Sequence, residues 1–250
     1  GMGAAALTIF GFSRALNNTS MFDAYWSVTP PAVALYLLAV SEPGVPAVRQ
    51  AVVTALVFAW GVRLTANWAR SWPGLDHEDW RYVEIRTNGR PYWPQSLVGL
   101  HLFPAVQVYL GCLALYPALA VGTDAVGLLD GLAALVTAAA IALEAVADEQ
   151  LRAFNRTKAS GDVCDVGVWA WSRHPNYLGE ISFWWGLWLF GLAADPGWWW
   201  TVVGPLAMTV MFVAASIPLL ERRSAERRSD WEAYRSRTSV LVPRPPRAPT

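Results

Sequence analysis

The chain is organised around one stretch, Trp171-Ser172-Arg173-His174-Pro175-Asn176-Tyr177-Leu178-Gly179-Glu180, which joins a polar loop to an apolar segment. Pro175 suits the first position of a helix because it has no N–H to leave unpaired, so we predict a helix that begins there, with His174 or its neighbour at the cap. The free N–H groups of a first helical turn favour anions. A simple helix cap with a snorkelling arginine explains Pro175, but it does not explain a carboxylate at the entry to the apolar run 181–194.

Three side chains on this predicted helix fall on one face. Asn176, Glu180 and Trp184 follow one another at four-residue steps, the spacing of neighbours on a helix surface. An amide, a carboxylate and an indole on one stripe could hold a flat ring that bears an amide group.

Composition places the chain in a membrane. Of its 250 residues, 54% are hydrophobic, 15% are charged and 15 are Trp, whereas soluble domains carry about 25% charged residues. Several apolar runs approach the roughly 20 residues that span a bilayer. We therefore expect an all-α, polytopic membrane protein that forms a single domain over residues 1–250. The two cysteines indicate neither a disulfide framework nor a metal site, and we expect no nucleic-acid partner.

Hydropathy predicts about seven transmembrane segments. The first is short, which leaves open whether it crosses. We expect Pro30 and Pro31 to kink the second segment, and Pro104 to bend the fourth. The segments are 2–12, 23–40, 47–68, 92–119, 125–149, 175–194 and 198–220, and a polar tail occupies about 221–250.

Charge placement predicts the topology. Seventeen of the nineteen Lys and Arg residues fall in segments that share one side if seven segments cross, and only Arg49 and Arg63 lie outside them. The positive-inside rule places both long polar loops and the C-terminus in the cytoplasm. Arginine-rich loops also suit phosphate binding.

A charge ladder descends the fifth segment through Glu144, Asp148, Arg152 and Arg156 at four-residue steps. An acid placed four residues before a base can form a structural ion-pair ladder. Alternatively, the carboxylates bind ribose or amide groups and the arginines bind phosphates, because polar residues within apolar spans usually mark function or a buried pair. The sequence leaves both interpretations open.

A length argument predicts a recessed site. The apolar run 181–194 spans about 21 Å as a helix, less than the roughly 30 Å hydrocarbon core. Polar groups at such depth are tolerated only against protein or a water-filled cavity. We therefore expect Arg173, His174, Asn176 and Glu180 to line a cavity open to the cytoplasm.

The quoted stretch, together with Gly89-Arg90-Pro91-Tyr92-Trp93-Pro94 and the Asp148-x-x-x-Arg152 step, resembles the membrane steroid 5α-reductase superfamily. The nearest likeness is to bacterial members of uncharacterised substrate. The superfamily includes the sterol C14 reductases and, more distantly, the prenylcysteine carboxyl methyltransferases with a similar Arg-His-Pro-x-Tyr-x-Gly. The segment from Asp230 to Pro243 also resembles the closing segment of the sterol reductases.

This resemblance implies an integral enzyme of the bacterial inner membrane that uses NADPH to reduce an activated C=C bond in a lipid or steroid-like enone. Membrane lipids surround it, and its active site faces the cytoplasm. By the resemblance, Asn176 and Glu180 contact the nicotinamide amide with Trp184 nearby, and the remaining cofactor contacts come from Arg90, Asp148, Arg152, Arg156, Arg173 and Tyr177.

The catalytic end departs from the steroid reductases, whose second span begins with a Gln-Glu pair. The corresponding stretch here is Asp23-Ala24-Tyr25-Trp26, so Asp23 or Tyr25 would have to polarise the substrate carbonyl. Asp23 could equally cap the second helix. His174 could shuttle a proton, contact phosphate or cap its helix. Two other classes stay open, namely a methyltransferase that uses S-adenosylmethionine and a non-catalytic lipid-binding protein.

Overall fold

Helices dominate the structure, a computed structural model that describes residues 2–72 and 74–246, apart from the side chains of Met2, Met21, Asp23 and Ala24. The helices are α1 (Met2–Ala15), α2 (Asp23–Ala39), α3 (Ala47–Ser71), α4 (Trp80–Thr87), α5 (Tyr92–Gln95), α6 (Phe103–Cys112), α7 (Leu128–Thr157), α8 (Pro175–Ala194), α9 (Val203–Met211), α10 (Ile217–Arg227) and α11 (Trp231–Arg237).

Four helices in the described part of the chain are long and apolar enough to cross a membrane. They are α3, the continuous helix Tyr92–Val121 that contains α5 and α6, α7, and the helix Pro196–Arg227 that contains α9 and α10. Helix α2 has only 17 residues, and the 20 residues of α8 begin with polar side chains. The all-α class is confirmed, and the four apolar helices indicate a membrane protein. The count of seven crossing segments stays a prediction.

The sequence predictions made from proline positions concern three helices. Helix α8 begins at Pro175 with His174 at the N-cap position, as the sequence predicts. Helix α2 continues through Pro30 and Pro31. Pro104 is the second residue of α6, which follows a π-helical segment, Ser96–Leu102, so the expected irregularity takes the form of a widened hydrogen-bond pattern.

Helices α7 and α8 approach closely because α8 places glycines against α7. A Cβ atom at Gly179 would lie 2.9 Å from the carbonyl oxygen of Ala140, and one at Gly186 would lie 3.1 Å from the Cβ of Thr137. Small residues at a helix interface let two membrane helices pack backbone against backbone. The carboxylates of α7 are thereby brought next to the polar start of α8.

The two long loops and the C-terminal segment meet at one end of the bundle. Arg222 Nη2 donates to Glu84 Oε1 over 2.7 Å, Arg237 pairs with Asp165, and the Tyr234 hydroxyl donates to the Trp169 carbonyl over 2.7 Å. We call residues 72–91, 158–174 and 228–246 the polar end. Burial raises the pKa of the Tyr234 phenol, so this hydroxyl stays a neutral donor. The side of the membrane on which the polar end lies stays a prediction.

The opposite end is closed by a buried ion pair. Arg49 is almost fully buried, and its Nε and Nη2 donate to the two carboxylate oxygens of Asp130 over 2.6 and 3.1 Å. The same guanidinium also donates to the carbonyls of Asp124 and Ala193 over 2.9 and 3.2 Å. This one side chain therefore joins α3, α7, the loop before α7 and the end of α8.

A topology prediction follows from the shared polar end. In a background with Cys112 and Cys164 replaced by Ser, single cysteines at Arg81 and Lys158 should react with an impermeant maleimide from the cytoplasmic side. A cysteine at Asp124, which is exposed at the opposite end, should react only from the other side. Reaction of Arg81→Cys and Lys158→Cys from opposite sides would contradict the arrangement.

The glycine contact can be tested with a matched pair of substitutions. Gly186→Ala should destabilise the bundle by about 1–3 kcal/mol because it overpacks the α7–α8 interface. Gly131→Ala on α7 meets nothing within 4 Å, so it should be neutral or slightly stabilising through helix propensity. Thermal unfolding in detergent measures both, and equal melting temperatures for the two variants would count against close packing.

Candidate functional site

The Glu180 carboxylate lies at the centre of the candidate site, where three indoles donate hydrogen bonds to it. Trp26 Nε1 and Trp184 Nε1 each donate to Oε1 over 3.0 Å, and Trp60 Nε1 donates to Oε2 over 3.0 Å. Glu180 is buried, and a carboxylate can accept about four hydrogen bonds. Indole N–H groups supply three of these hydrogen bonds. They stabilise the Glu180 carboxylate without a cation in direct contact among the described residues. The donors come from α2, α3 and α8.

A second acidic group lies beside Glu180 on the facing helix. Glu144 interacts electrostatically with Glu180, and its side chain packs against Gly179, the residue before Glu180. Arg63 of α3 bridges Glu144 to Asp148: Nη2 lies 2.8 Å from Glu144 Oε2, and Nη1 lies 2.8 Å from Asp148 Oδ2. The guanidinium therefore holds two carboxylates one helical turn apart on α7. Its Nε is buried and has no hydrogen-bond partner among the described residues.

The network continues towards the polar end through two amides. Asn67 Nδ2 donates to Asp148 Oδ2 over 3.0 Å, and Arg152 donates to the other side of the same amide, at Asn67 Oδ1. The side chain of Asn176, half-buried in the first turn of α8, lies near enough to Asp148 to interact with its carboxyl group. Donors and acceptors thus follow one another from Glu180, in the interior, to Arg152 near the end of α7.

The structure brings together six of the residues that the sequence singled out. They belong to one connected polar network and are Glu144, Asp148, Arg152, Asn176, Glu180 and Trp184. The Glu144-to-Arg152 part of the ladder is joined through two groups of α3, Arg63 and Asn67. Both interpretations of the ladder therefore still apply, because these groups are ion-paired and also aligned with the polar stripe of α8.

Arg173 and its neighbours are engaged elsewhere. Arg173 Nε and Nη2 each lie 2.8 Å from Glu221 Oε1, and Nη1 donates to the carbonyls of Arg235 and Thr238 over 3.0 and 2.6 Å. His174 Nε2 lies 3.3 Å from the same Glu221 oxygen, and the His174 ring stacks on Tyr177 with centroids 5.7 Å apart. These residues bind the C-terminal segment and α10 to the start of α8.

Arg90 and Arg156 are exposed at the polar end. The motif that contains Arg90 has a local structural role, which depends on its residue Tyr92. Tyr92 Oη lies 2.6 Å from Thr19 Oγ1, and the Arg86 guanidinium covers the Tyr92 ring at 3.8 Å. The motif therefore fastens the loop 72–91 to the turn before α2.

Of the two catalytic candidates on α2, the structure describes the side chain of only one, Tyr25. The side chain of Asp23 lies outside the described residues. Tyr25 is buried and stacks on Phe22 with ring centroids 4.9 Å apart, in a cluster with Ala6 and Ala105. Its neighbour Trp26 instead reaches Glu180. The second span thus contributes an indole to the network.

Sequence reasoning missed Arg63, Asn67, Trp26 and Trp60 as members of this network. One signal was present, because Arg63 and Asn67 are polar residues four apart in an otherwise apolar span, and such residues usually have a partner or a function. The tryptophans gave no comparable signal, since most of the 15 indoles in this chain could equally be packing or interfacial groups.

Comparison with known proteins supports the family resemblance. Residues 9–239 match the family described as "Protein of unknown function (DUF1295)". An uncharacterized protein of Schizosaccharomyces pombe is 28% identical over 94% of this chain and 76% of its own length. No solved structure matches the chain.

The Arg63 bridge predicts a specific coupling. Arg63→Gln should cost about 3–5 kcal/mol, because Glu144 and Asp148 would be left buried without their cation. Adding Glu144→Gln should recover part of that loss, which a double-mutant cycle on unfolding free energies would measure. Strictly additive losses would show that Arg63 and Glu144 do not interact.

Proposed function

Since this chain belongs to the DUF1295 family, which lies within the steroid 5-alpha reductase-like superfamily, we propose that it is an NADPH-dependent reductase. Its substrate would be a lipid or steroid-like enone with an activated C=C bond. The active site would face the cytoplasm from the bacterial inner membrane. One observation carries the proposal: Asp148, Arg152, Asn176 and Glu180 belong to a single network that runs from the buried Glu180 to half-buried groups near the end of α7.

The chemistry of this network suits a dinucleotide. Asn176 and Glu180 offer amide and carboxylate groups for a carboxamide, and Asp148 offers an acceptor for a hydroxyl group. The buried Nε of Arg63, without a partner among the described residues, can donate one further hydrogen bond. Arg152 and Arg156 follow Asp148 by one and two helical turns, about 6 and 12 Å towards the polar end, where guanidinium groups suit phosphates.

The burial of these groups favours a functional site over a purely structural network. Ionised groups inside a bilayer are costly and require partners or a role. A structural network needs only enough donors to neutralise its carboxylates. Here one guanidinium, that of Arg63, pairs with Glu144 and Asp148, and Glu180 is bonded by indoles. Among the described residues, Arg152 joins the network through Asn67. The excess of acceptors leaves capacity to bind the donors of a ligand.

The reaction itself needs three contributions at the substrate. The cofactor, held by the network residues, would supply the hydride that the β carbon of the enone needs. The protein must donate a hydrogen bond to the developing enolate oxygen, which is the largest single contribution in such sites. The Tyr25 phenol, a neutral donor at ordinary pH, and Asp23 are the proposed donors. The α carbon also needs a proton, and His174 is the proposed source, held at the start of α8 by Glu221 and Tyr177.

A ligand panel tests the cofactor. NADPH should raise the melting temperature of the purified protein, because a ligand that binds only the folded state stabilises it by mass action. NADH should bind about tenfold more weakly, since it lacks the phosphate that charged donors would hold. Stabilisation by S-adenosylmethionine instead would indicate the methyltransferase, and stabilisation by neither nucleotide would leave a lipid-binding protein.

Asn176→Ala is the sharpest test of the site. We expect NADPH affinity to fall about five- to a hundredfold through the loss of a desolvated polar contact worth about 1–3 kcal/mol. Glu180→Gln separates the roles less well, because it also removes an acceptor from the indoles. Asp130→Asn is the matched control: it weakens a buried α3–α7 ion pair at the other end of the bundle. It should lower the melting temperature and leave NADPH affinity unchanged. Equal affinity losses in both variants would refute the assignment.

A further inference from the structure

A cleft of about 460 Å³ lies between the start of α8 and the C-terminal segment. It is separate from the Glu180 network, whose members do not line it. Four arginines surround it, Arg173, Arg235, Arg237 and Arg244, and its described lining includes no Asp or Glu side chain. Its volume falls in the range of small-molecule sites, roughly 300–1,000 Å³.

The walls of the cleft are fixed by backbone hydrogen bonds. Residues 239–244 run beside the entry to α8: Arg173 N donates to the Ser239 carbonyl over 2.8 Å, and Arg244 N donates to the Trp171 carbonyl over 3.1 Å. Ser172 Oγ adds a bond to the Leu241 carbonyl over 2.8 Å. The C-terminal segment is therefore a built part of the fold, and its backbone has a defined position beside α8.

The arginines of the cleft differ in how much bonding capacity they retain. Arg173 uses four of its five N–H donors on Glu221 and on carbonyls, so it contributes charge and one remaining donor, on Nη2. Arg235 bonds Glu232 through Nη1 over 3.2 Å in a largely exposed pair. Arg244 is exposed and makes no side-chain hydrogen bond to the described residues. Thr238 Oγ1 is buried without a partner in the described part of the chain, and Thr238 lines the cleft.

Exposed apolar side chains lie next to these cations. Val240 and Val242 line the cleft and are 43% and 60% exposed, and Trp171 beside them is 47% exposed. A free anion gains nothing from such neighbours. An amphiphile does, because aromatic and aliphatic side chains suit the membrane interface, where basic residues meet anionic headgroups. The cleft also lies at the polar end of the bundle.

We infer that this cleft binds the phosphate of an anionic phospholipid. Arg235 and Arg244 hold the phosphate, Thr238 Oγ1 takes part in the hydrogen bonding, and Val240 and Val242 lie against the glycerol and upper acyl region. Of the residues expected to contact the cofactor, only Arg173 lines this cleft, and the lipid site does not require the proposed reductase activity. The site gives the C-terminal segment a role in lipid binding, which a solvated extension would not have.

The test uses the purified full chain in neutral detergent. The probes are short-chain phosphatidylglycerol, short-chain phosphatidylcholine, inorganic phosphate and NADPH, with binding measured by native mass spectrometry and by thermal shift. Phosphatidylglycerol should bind and stabilise the protein, with an affinity that falls as salt is raised. Arg235→Gln with Arg244→Gln should weaken it about tenfold or more. Thr238→Val should weaken it less.

The matched control removes two other arginines, Arg227 and Arg228, by substitution with Gln. They belong to the same basic segment but do not line the cleft. The affinity of this control variant for phosphatidylglycerol should therefore be unchanged. Equal losses in the two double variants would mean unspecific surface charge and would overturn the site. So would equal binding of phosphatidylcholine, or inorganic phosphate that binds as tightly as the lipid. A loss of NADPH affinity in the Arg235→Gln, Arg244→Gln variant would assign the cleft to the cofactor instead.

Discussion

The guanidinium of Arg63 is the group on which the rest of the interior depends. It lies inside an apolar helix and contacts carboxylates on two successive turns of α7, each at 2.8 Å. Neither partner is tolerable alone in that surrounding, because an unpaired charge in low dielectric costs several kcal/mol. The pairing therefore fixes which faces of α3 and α7 meet, and at what register.

A second pair repeats this constraint at the far end. Fourteen residues separate Arg49 from Arg63 on α3, and fourteen also separate Asp130 from Glu144 on α7. Fourteen residues are close to four helical turns, about 21 Å, so both pairs lie on the same faces of two helices that run in parallel. A slip of either helix by one residue would unpair both ends together. The two ion pairs thus set register, a use of buried charge with good precedent.

Tryptophan explains how a third carboxylate is accommodated. An indole is a large apolar body with a single N–H donor, so it can pack in a membrane interior and still bond a charged group. Trp60 shows both uses: it stacks on Phe183 with centroids 4.5 Å apart and donates to Glu180. Three such groups join α2, α3 and α8 around one carboxylate. The resulting site is held by rigid helices, as a preorganised binding site requires.

The sequence by itself determined the helices and much of the site's membership. Apolar runs, Pro175 at a helix start and the four-residue spacing of Asn176, Glu180 and Trp184 depend on local geometry, which the order of residues specifies directly. Tertiary structure decided which groups meet. Arg63, Asn67, Trp26 and Trp60 entered the network from other helices, and Arg173 turned to Glu221 and the tail, because the partner of a buried charge is chosen by the packing of distant segments. Residue spacing along one helix does not indicate which distant segment supplies the partner of a buried charge. The equal fourteen-residue intervals on α3 and α7 nevertheless show that the sequences of these two helices, compared with each other, specify part of the pairing.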